Sequence, residues 1–276
     1  MQKRDPRSHK GENGTVAVVG GSRRFHGAPI FAALAAEASG VDLVYPVVHA
    51  AHAVVTRAAS LNFIVQTFKG ESLAKKEMAE ILLLLREVHA AVLGPGMAET
   101  SANEAALCTI VAKAPCALVL DARALRPSIT QSIPKGRTVI LTPHLGELEH
   151  LTRKSLTDVP RKKVEGLCTE IAKRHGVTVL LKGHEDFIVS PRGKKTTVKG
   201  GDAGLTKGGT GDALAGLLAG LLAQGVAPFE ACVTGATIIK RAGTILSTEK
   251  GYAYTTREVI DQIPHLLRTY HSSVPT

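Results

Sequence analysis

The chain has 276 residues, 44% hydrophobic and 21% charged, an ordinary globular composition with enough apolar residues for a large core. Its formal net charge is +10, but the basic residues are scattered, only 4% of residues are aromatic and Trp is absent. That argues against a stacking surface for single-stranded nucleic acid and leaves solvated basic faces plus an anionic small ligand. Uninterrupted apolar runs reach about eleven residues, short of the ~20 that span a bilayer. The polar, basic stretch 1–13 lacks the apolar core of a secretory signal. Cys108, Cys116, Cys168 and Cys232 are widely spaced with no CxxC pattern, as expected of core or surface thiols in a reducing compartment. A soluble cytoplasmic protein is the expectation, with neither membrane nor nucleic acid as partner.

In chain order, 1–13 reads as a flexible basic arm and 14–276 as one domain. A buried strand is predicted over 15–20, then a helix rich in small residues over 27–39. Strands follow over 42–48 and 62–67, an amphipathic helix over 71–86, and a short strand over 90–93 ending in Gly94-Pro95-Gly96. Helix 102–113 leads to strand 117–120, which ends at Asp121. Next come strand 138–141, short helix 145–151, helix 161–175 and strand 178–181. Segments 187–190 and 195–199 alternate around Pro191-Arg192-Gly193 as a hairpin, and helices 212–224, 228–248 and 257–270 close the chain. Short apolar strands alternating with helices of ten to fifteen residues predict an α/β fold, with a mostly parallel central sheet and helices on both faces.

In open parallel sheets, ligands lie beyond the carboxyl ends of the strands. Gly20-Gly21-Ser22, Gly94-Pro95-Gly96, Asp121, Thr142-Pro143-His144 and Lys182-Gly183 all follow predicted strands directly. The richest signal is Gly208-Gly209-Thr210-Gly211-Asp212, opening an apolar helix. Such a turn points unpaired N–H groups and the positive end of the helix dipole at one small volume suited to phosphate. A carboxylate there repels phosphate unless it has a task, such as taking a proton from an attacking hydroxyl. The competing reading makes Asp212 a helix N-cap. His144 likewise reads as a helix cap or a ligand contact, Lys182 as a solvated strand cap or a phosphate ligand. Asp121 either orients backbone or holds a metal through water. No protein metal site is expected: His150 lies far around a helix from His144, and no H-E-x-x-H spacing occurs.

Neither a Walker A triplet nor G-x-G-x-x-G is present. From about 14 to 264 the chain instead resembles the ribokinase-like superfamily, and within it the ADP/ATP-dependent NAD(P)H-hydrate dehydratases. The resemblance rests on Gly20-Gly21-Ser22, Gly27-Ala28-Pro29, Gly94-Pro95-Gly96, Leu141-Thr142-Pro143-His144 with Gly146-Glu147, Lys182-Gly183, and Gly208 to Gly216. It implies a single ribokinase-like domain and a lyase that dehydrates the 6S hydrate of NADH or NADPH. ADP or ATP would serve as co-substrate with Mg2+, through phosphorylation and loss of phosphate.

Asp212 matches the catalytic position, with Gly208, Gly209, Thr210 and Gly211 as the phosphate loop. Lys182, Gly183, His184, Glu185, Asp186 and Gly211 match the nucleotide segment; Ala28, Gly96, His144 and Asp212 match the hydrated-dinucleotide positions. Relatives commonly assemble as tetramers, so a homo-oligomer is implied. Arg123 stands where relatives usually have a second Asp, Leu145 where they have Pro, and Asp202 where Asn is common. A ribokinase-like small-molecule kinase, or a non-catalytic nucleotide-binding protein of the same fold, is the alternative reading.

Overall fold

A strand buried on both faces needs only short apolar runs, whereas a helix needs a periodic stripe. The computed structural model describes residues 4–272 and turns those runs into alternating elements. The first half comprises β1 (Thr15–Val19), α1 (Gly27–Ala38), β2 (Leu43–His49), α2 (Ala53–Ala59), β3 (Gln66–Phe68), α3 (Lys75–Glu87), β4 (Ala90–Leu93), α4 (Ser101–Lys113) and β5 (Ala117–Leu120). Then come α5 (Pro127–Gln131), β6 (Val139–Leu141), α6 (Leu145–Thr152), α7 (Arg161–His175), β7 (Thr178–Leu181), β8 (Asp186–Val189), β9 (Lys195–Val198), α8 (Thr210–Ala223), α9 (Pro228–Lys250) and α10 (Thr256–Ser272).

Among the described residues these strands form one sheet in the order β3-β2-β1-β4-β5-β6-β7-β8-β9. β1 to β7 pair in parallel, and β8 and β9 add an antiparallel edge. The period-2 alternation of β1 divides the core. Val16 and Val18 pack with α1, α8, α9 and α10, and Ala17 and Val19 pack with α3 to α7 on the other face. Strand order reverses between β1 and β4, which opens a crevice at their carboxyl ends.

Two places differ from the sequence reading. The expected strand 62–67 begins only at Gln66; before it, Phe63 makes a single bridge to Val44. Ser60 and Asn62 both donate to Glu37 Oε1 at 2.7 Å, and Asn62 N–H donates to Ser60 Oγ at 3.2 Å. These side-chain bonds hold a turn where a ladder was expected. Helices α2 and α5 were not anticipated: α2 buries only Thr56, so it carries no apolar stripe to read.

Residues 1–3 of the expected arm lie outside the described residues. The rest of it, from Arg4, forms turns against Asp42, which accepts from Gly11 N–H at 2.9 Å and Asn13 N–H at 3.0 Å and pairs with Arg4 at 3.8 Å.

Helices α1 and α8 meet at backbone contact. A Cβ on Gly216 would stand 1.9 Å from Ala32 O, and one on Gly220 2.0 Å from Ser39 Oγ. This seam fixes the N-terminus of α1, with Ala28, relative to the N-terminus of α8, with Asp212.

Candidate active site

The glycine-rich turn opens α8 as the sequence predicts, but with a different cap. Gly209 is the N-cap, at φ 98° in the left-handed region, and a Cβ there would lie 2.4 Å from Phe31 Cδ2. Conformation and space both require glycine. The loop is braced by Thr210 Oγ1, which donates to Lys207 O at 3.1 Å, and by Thr256 Oγ1, which donates to Gly208 O at 2.9 Å. Asp212 sits three residues past the cap and makes no capping hydrogen bond, so the N-cap reading of this carboxylate fails. It is half-buried beside N–H groups that have no intrahelical acceptor.

Lys182 leaves the end of β7 and reaches this turn. Its ammonium donates to Asp121 Oδ1 at 2.7 Å, lies 3.4 Å from Glu147 Oε2, and would stand 3.2 Å from a Cβ on Gly211. Burial alone pulls this ammonium down; Asp121, Glu147 and Asp212 overcome that and hold Lys182 above its ordinary range. The solvated-cap reading of Lys182 therefore does not describe it. Asp121 is buried and also accepts from Thr142 Oγ1 at 2.7 Å. Burial pushes the Asp212 carboxyl up to about 7, reinforced by the charge of Asp121, opposed by Lys182 and raised again by Glu147. A carboxylate poised near neutrality beside a fixed cation can exchange a proton with a bound hydroxyl.

His144 does cap α6. Its Nδ1 accepts from Glu147 N–H at 3.2 Å, while Glu147 Oε2 accepts from His144 N–H at 2.8 Å, a reciprocal capping box. His144 is exposed, and its Nε2 lies 3.6 Å from Glu147 Oε1. Lys182 N–H donates to Pro143 O at 2.8 Å and Lys182 bridges His144 in parallel, so the expected nucleotide and dinucleotide positions are neighbours joined through Glu147.

The glycine corners lie alongside. A Cβ on Gly96 would lie 3.2 Å from Ala28 Cβ, one on Gly94 2.1 Å from Asp121 O, and one on Gly20 2.3 Å from Pro95 O. The strand ends of β1, β4 and β5 thus touch backbone to backbone, and Ala28 and Gly96 face each other beside Phe25.

In segment 182–186, where a nucleotide contact was expected, the five candidates divide. Lys182 faces the α8 turn. Asp186 is buried and accepts from Gly183 N–H at 2.9 Å. Glu185 is held by Lys199 at 3.2 Å and Arg161 at 3.3 Å. Gly183 and His184 remain exposed as the open part of the loop.

The NAD(P)H-hydrate dehydratase family model matches residues 16–265. The chain belongs to this family. An ADP-dependent (S)-NAD(P)H-hydrate dehydratase from Nitrosopumilus maritimus is 35% identical over 270-odd residues, covering 98% of this chain and 94% of that one. A bifunctional NAD(P)H-hydrate repair enzyme from Methanocaldococcus jannaschii is also 35% identical, and there the chain spans only about half the relative, 51% of its length. Among solved structures, the Bacillus subtilis ADP/ATP-dependent NAD(P)H-hydrate dehydratase co-crystallised with ATP and Mg2+ superposes with a TM-score of 0.81 at 26% identity, covering 98% of this chain and 94% of that one. The ribokinase-like architecture is the one this likeness carries.

Within this dehydratase-family fold, three residues do work that sequence reasoning did not assign. Asp121 was left between two roles and proves to be the partner of Lys182. Glu147 was seen only as part of a motif, although its spacing from His144 is that of a capping box. Lys240 gave no signal at all. It is buried on α9, and its ammonium donates to Gly183 O at 3.1 Å and His184 O at 3.0 Å and lies 3.5 Å from Asp186, so it holds the loop between β7 and β8 in place. Asp202, one of the departures, accepts from Gly204 N–H at 2.6 Å and Tyr254 O–H at 3.1 Å and shapes the approach to α8.

A resident magnesium site does not fit. Among the described residues no three His, Cys, Asp or Glu side chains come together to hold a metal, and Asp121 and Glu147 are both engaged by Lys182.

Proposed function

We propose that this chain uses ADP or ATP to dehydrate the 6S hydrate of NADH or NADPH, returning the working cofactor and releasing phosphate. The observation that carries the reading is Asp212: a carboxylate raised to about 7 inside an anion-binding turn, with Lys182 held beside it. Nucleotide phosphates lie against the first-turn N–H groups of α8 and the Lys182 ammonium, which match the charge spread over a transferring phosphoryl group. Asp212 takes the proton of the 6-hydroxyl as its oxygen forms the new bond to phosphorus and the bond to the nucleotide leaving group breaks. Phosphate then departs from the ring carbon with the bonding pair, and a proton is lost from the adjacent carbon to give the double bond. Ala28 and Gly96 leave room for a flat ring close to backbone. Mg2+ enters with the nucleotide, where it would neutralise phosphate charge.

The names of the relatives support this substrate pair. A cytoplasmic location is part of the proposal: no described helix is long and apolar enough to cross a membrane, and the four cysteines are free. Burial raises the Cys116 thiol to about 11 and Cys168 to about 12, which keeps both unreactive.

The test supplies hydrated NADH and hydrated NADPH with ADP and ATP in parallel, and follows dihydronicotinamide absorbance together with free phosphate. Both should rise together, and only with nucleotide present. Nucleotide consumption without recovery of absorbance would replace the dehydratase with a kinase that leaves phosphate on its product.

A further inference from the structure

A cavity of about 260 Å³ opens between the turn after β5 and the start of α6, lined by Arg123, Arg126, His144, Gly146, Glu147 and His150 among others. We infer that it is a phosphate subsite for the hydrated dinucleotide, gripped by the paired guanidinium groups of Arg123 and Arg126. The inference rests on the reading that the dinucleotide lies at His144.

One carboxylate now occupies both guanidinium groups. Arg123 Nη1 lies 2.6 Å from Glu99 Oε2, and Arg126 Nη2 lies 2.5 Å from Glu99 Oε1. Two cations therefore share a single anion, with one oxygen to each fork, an arrangement that a phosphate's oxygens reproduce with more charge. The two partners differ in their hold on water: the Glu99 side chain is 63% exposed and that of Arg126 only 18%. Glu99 can swing into solvent at little cost, whereas Arg126 stays where it is. The other acid of the cavity, Glu147, does not cancel the excess, because Lys182 and the His144 N–H already engage it. His144 and His150 add no negative charge. Ala122 is held at φ 49°, a left-handed conformation unusual for a residue with a side chain, and the chain leaves it directly into Arg123.

The phosphate can come from two parts of the ligand: the diphosphate bridge, common to both hydrates, or the 2′-phosphate present only in the NADPH form. Binding of NAD+ and of NADP+ at saturating ADP, measured by calorimetry, separates them. In Arg126→Ala we expect affinity to fall about tenfold or more, the scale of a lost charge-assisted contact. Arg126→Lys, which keeps the charge and the fold, should lose part of that. Glu99→Gln should act in the opposite direction and tighten binding severalfold, because it removes the competing carboxylate. A loss confined to NADP+ assigns the 2′-phosphate; an equal loss for both assigns the diphosphate bridge. If neither dinucleotide binds, if Arg126→Ala binds like wild type, or if Glu99→Gln weakens binding as Arg126→Ala does, the subsite is overturned and the ion pairs only brace the turn. Should wild type bind in the expected way yet fail to dehydrate either hydrate, the proposed activity falls and the subsite stands.

Discussion

The two ends of the crevice are built on opposite principles. At the α8 end, four charged side chains, Asp121, Glu147, Lys182 and Asp212, interact within one small volume. At the α1 end, Gly20, Gly94, Gly96 and Ala28 offer almost no side chain at all, and backbone meets backbone. The first end carries chemistry through charge, which acts over distance and can be tuned by neighbours. The second carries shape through missing atoms: an added Cβ would collide with backbone at Gly20 and Gly94 and be crowded at Gly96. Substitutions should therefore damage catalysis without loss of stability at the first end, and at the second should cost stability whatever they do to turnover.

The largest effect is expected at the charged end. Asp212→Asn should lower turnover of hydrated NADH by at least ~100-fold, the usual scale for a lost general base, while the protein stays folded and binds nucleotide. It should also melt at a higher temperature than wild type at pH 8. Folding raises the Asp212 pKa from an unfolded value near 3.8 to about 7. Its contribution to stability is therefore fully present below about pH 4 and is lost as pH rises through about 7. The gap between variant and wild type should close as the pH is lowered to 4. A variant that keeps its turnover would move the chemistry elsewhere in the cluster.

Gly94→Ala tests the other end. Its φ of 112° disfavours a side chain, and the added Cβ would stand 2.1 Å from Asp121 O, so unfolding in urea should show a loss of about 1–3 kcal/mol or more. Because that contact moves the backbone of Asp121, turnover should fall as well. Unchanged stability would mean that the glycine end is loosely built and the contrast is false.

Lys182→Met should be the mildest of the three. It should weaken ADP or ATP by about tenfold through the lost charge-assisted contact. It should also move the midpoint of the kcat/KM–pH profile above its wild-type position, because Lys182 opposes the upward shift of Asp212. An unmoved midpoint would uncouple the two residues and make the charged end a set of separate pairs.

The alternation of strands and helices was legible because strands buried on both faces must be short apolar runs, and from β4 to α10 nearly every long element falls where it was expected. Segment 60–65 was not legible, since Ser60 and Asn62 turn the chain through bonds to Glu37, a residue more than twenty positions away. In the site, the turn at Gly208 to Asp212 announced itself by composition, but the identity of its cap did not. Only the packing of Phe31 against Gly209 shows why the cap is glycine and the carboxylate is free for other use. Lys240 was hidden for a related reason: a long cation followed by Arg241, on a helix that also carries Glu230, Glu249 and Lys250, resembles a surface residue until the carbonyls of Gly183 and His184 are seen to accept from it.

The glycine seam between α1 and α8 makes the crevice a ruler. With Gly216 packed on the backbone of Ala32 and Gly220 on the Ser39 side chain, the two helices cannot slide past each other, and the span from Ala28 to Asp212 is set before any ligand arrives. A truncated hydrate consisting of the hydroxylated nicotinamide ring alone keeps the reacting hydroxyl, so it should bind weakly yet keep most of its turnover once bound, because no closing motion has to be driven by the missing parts.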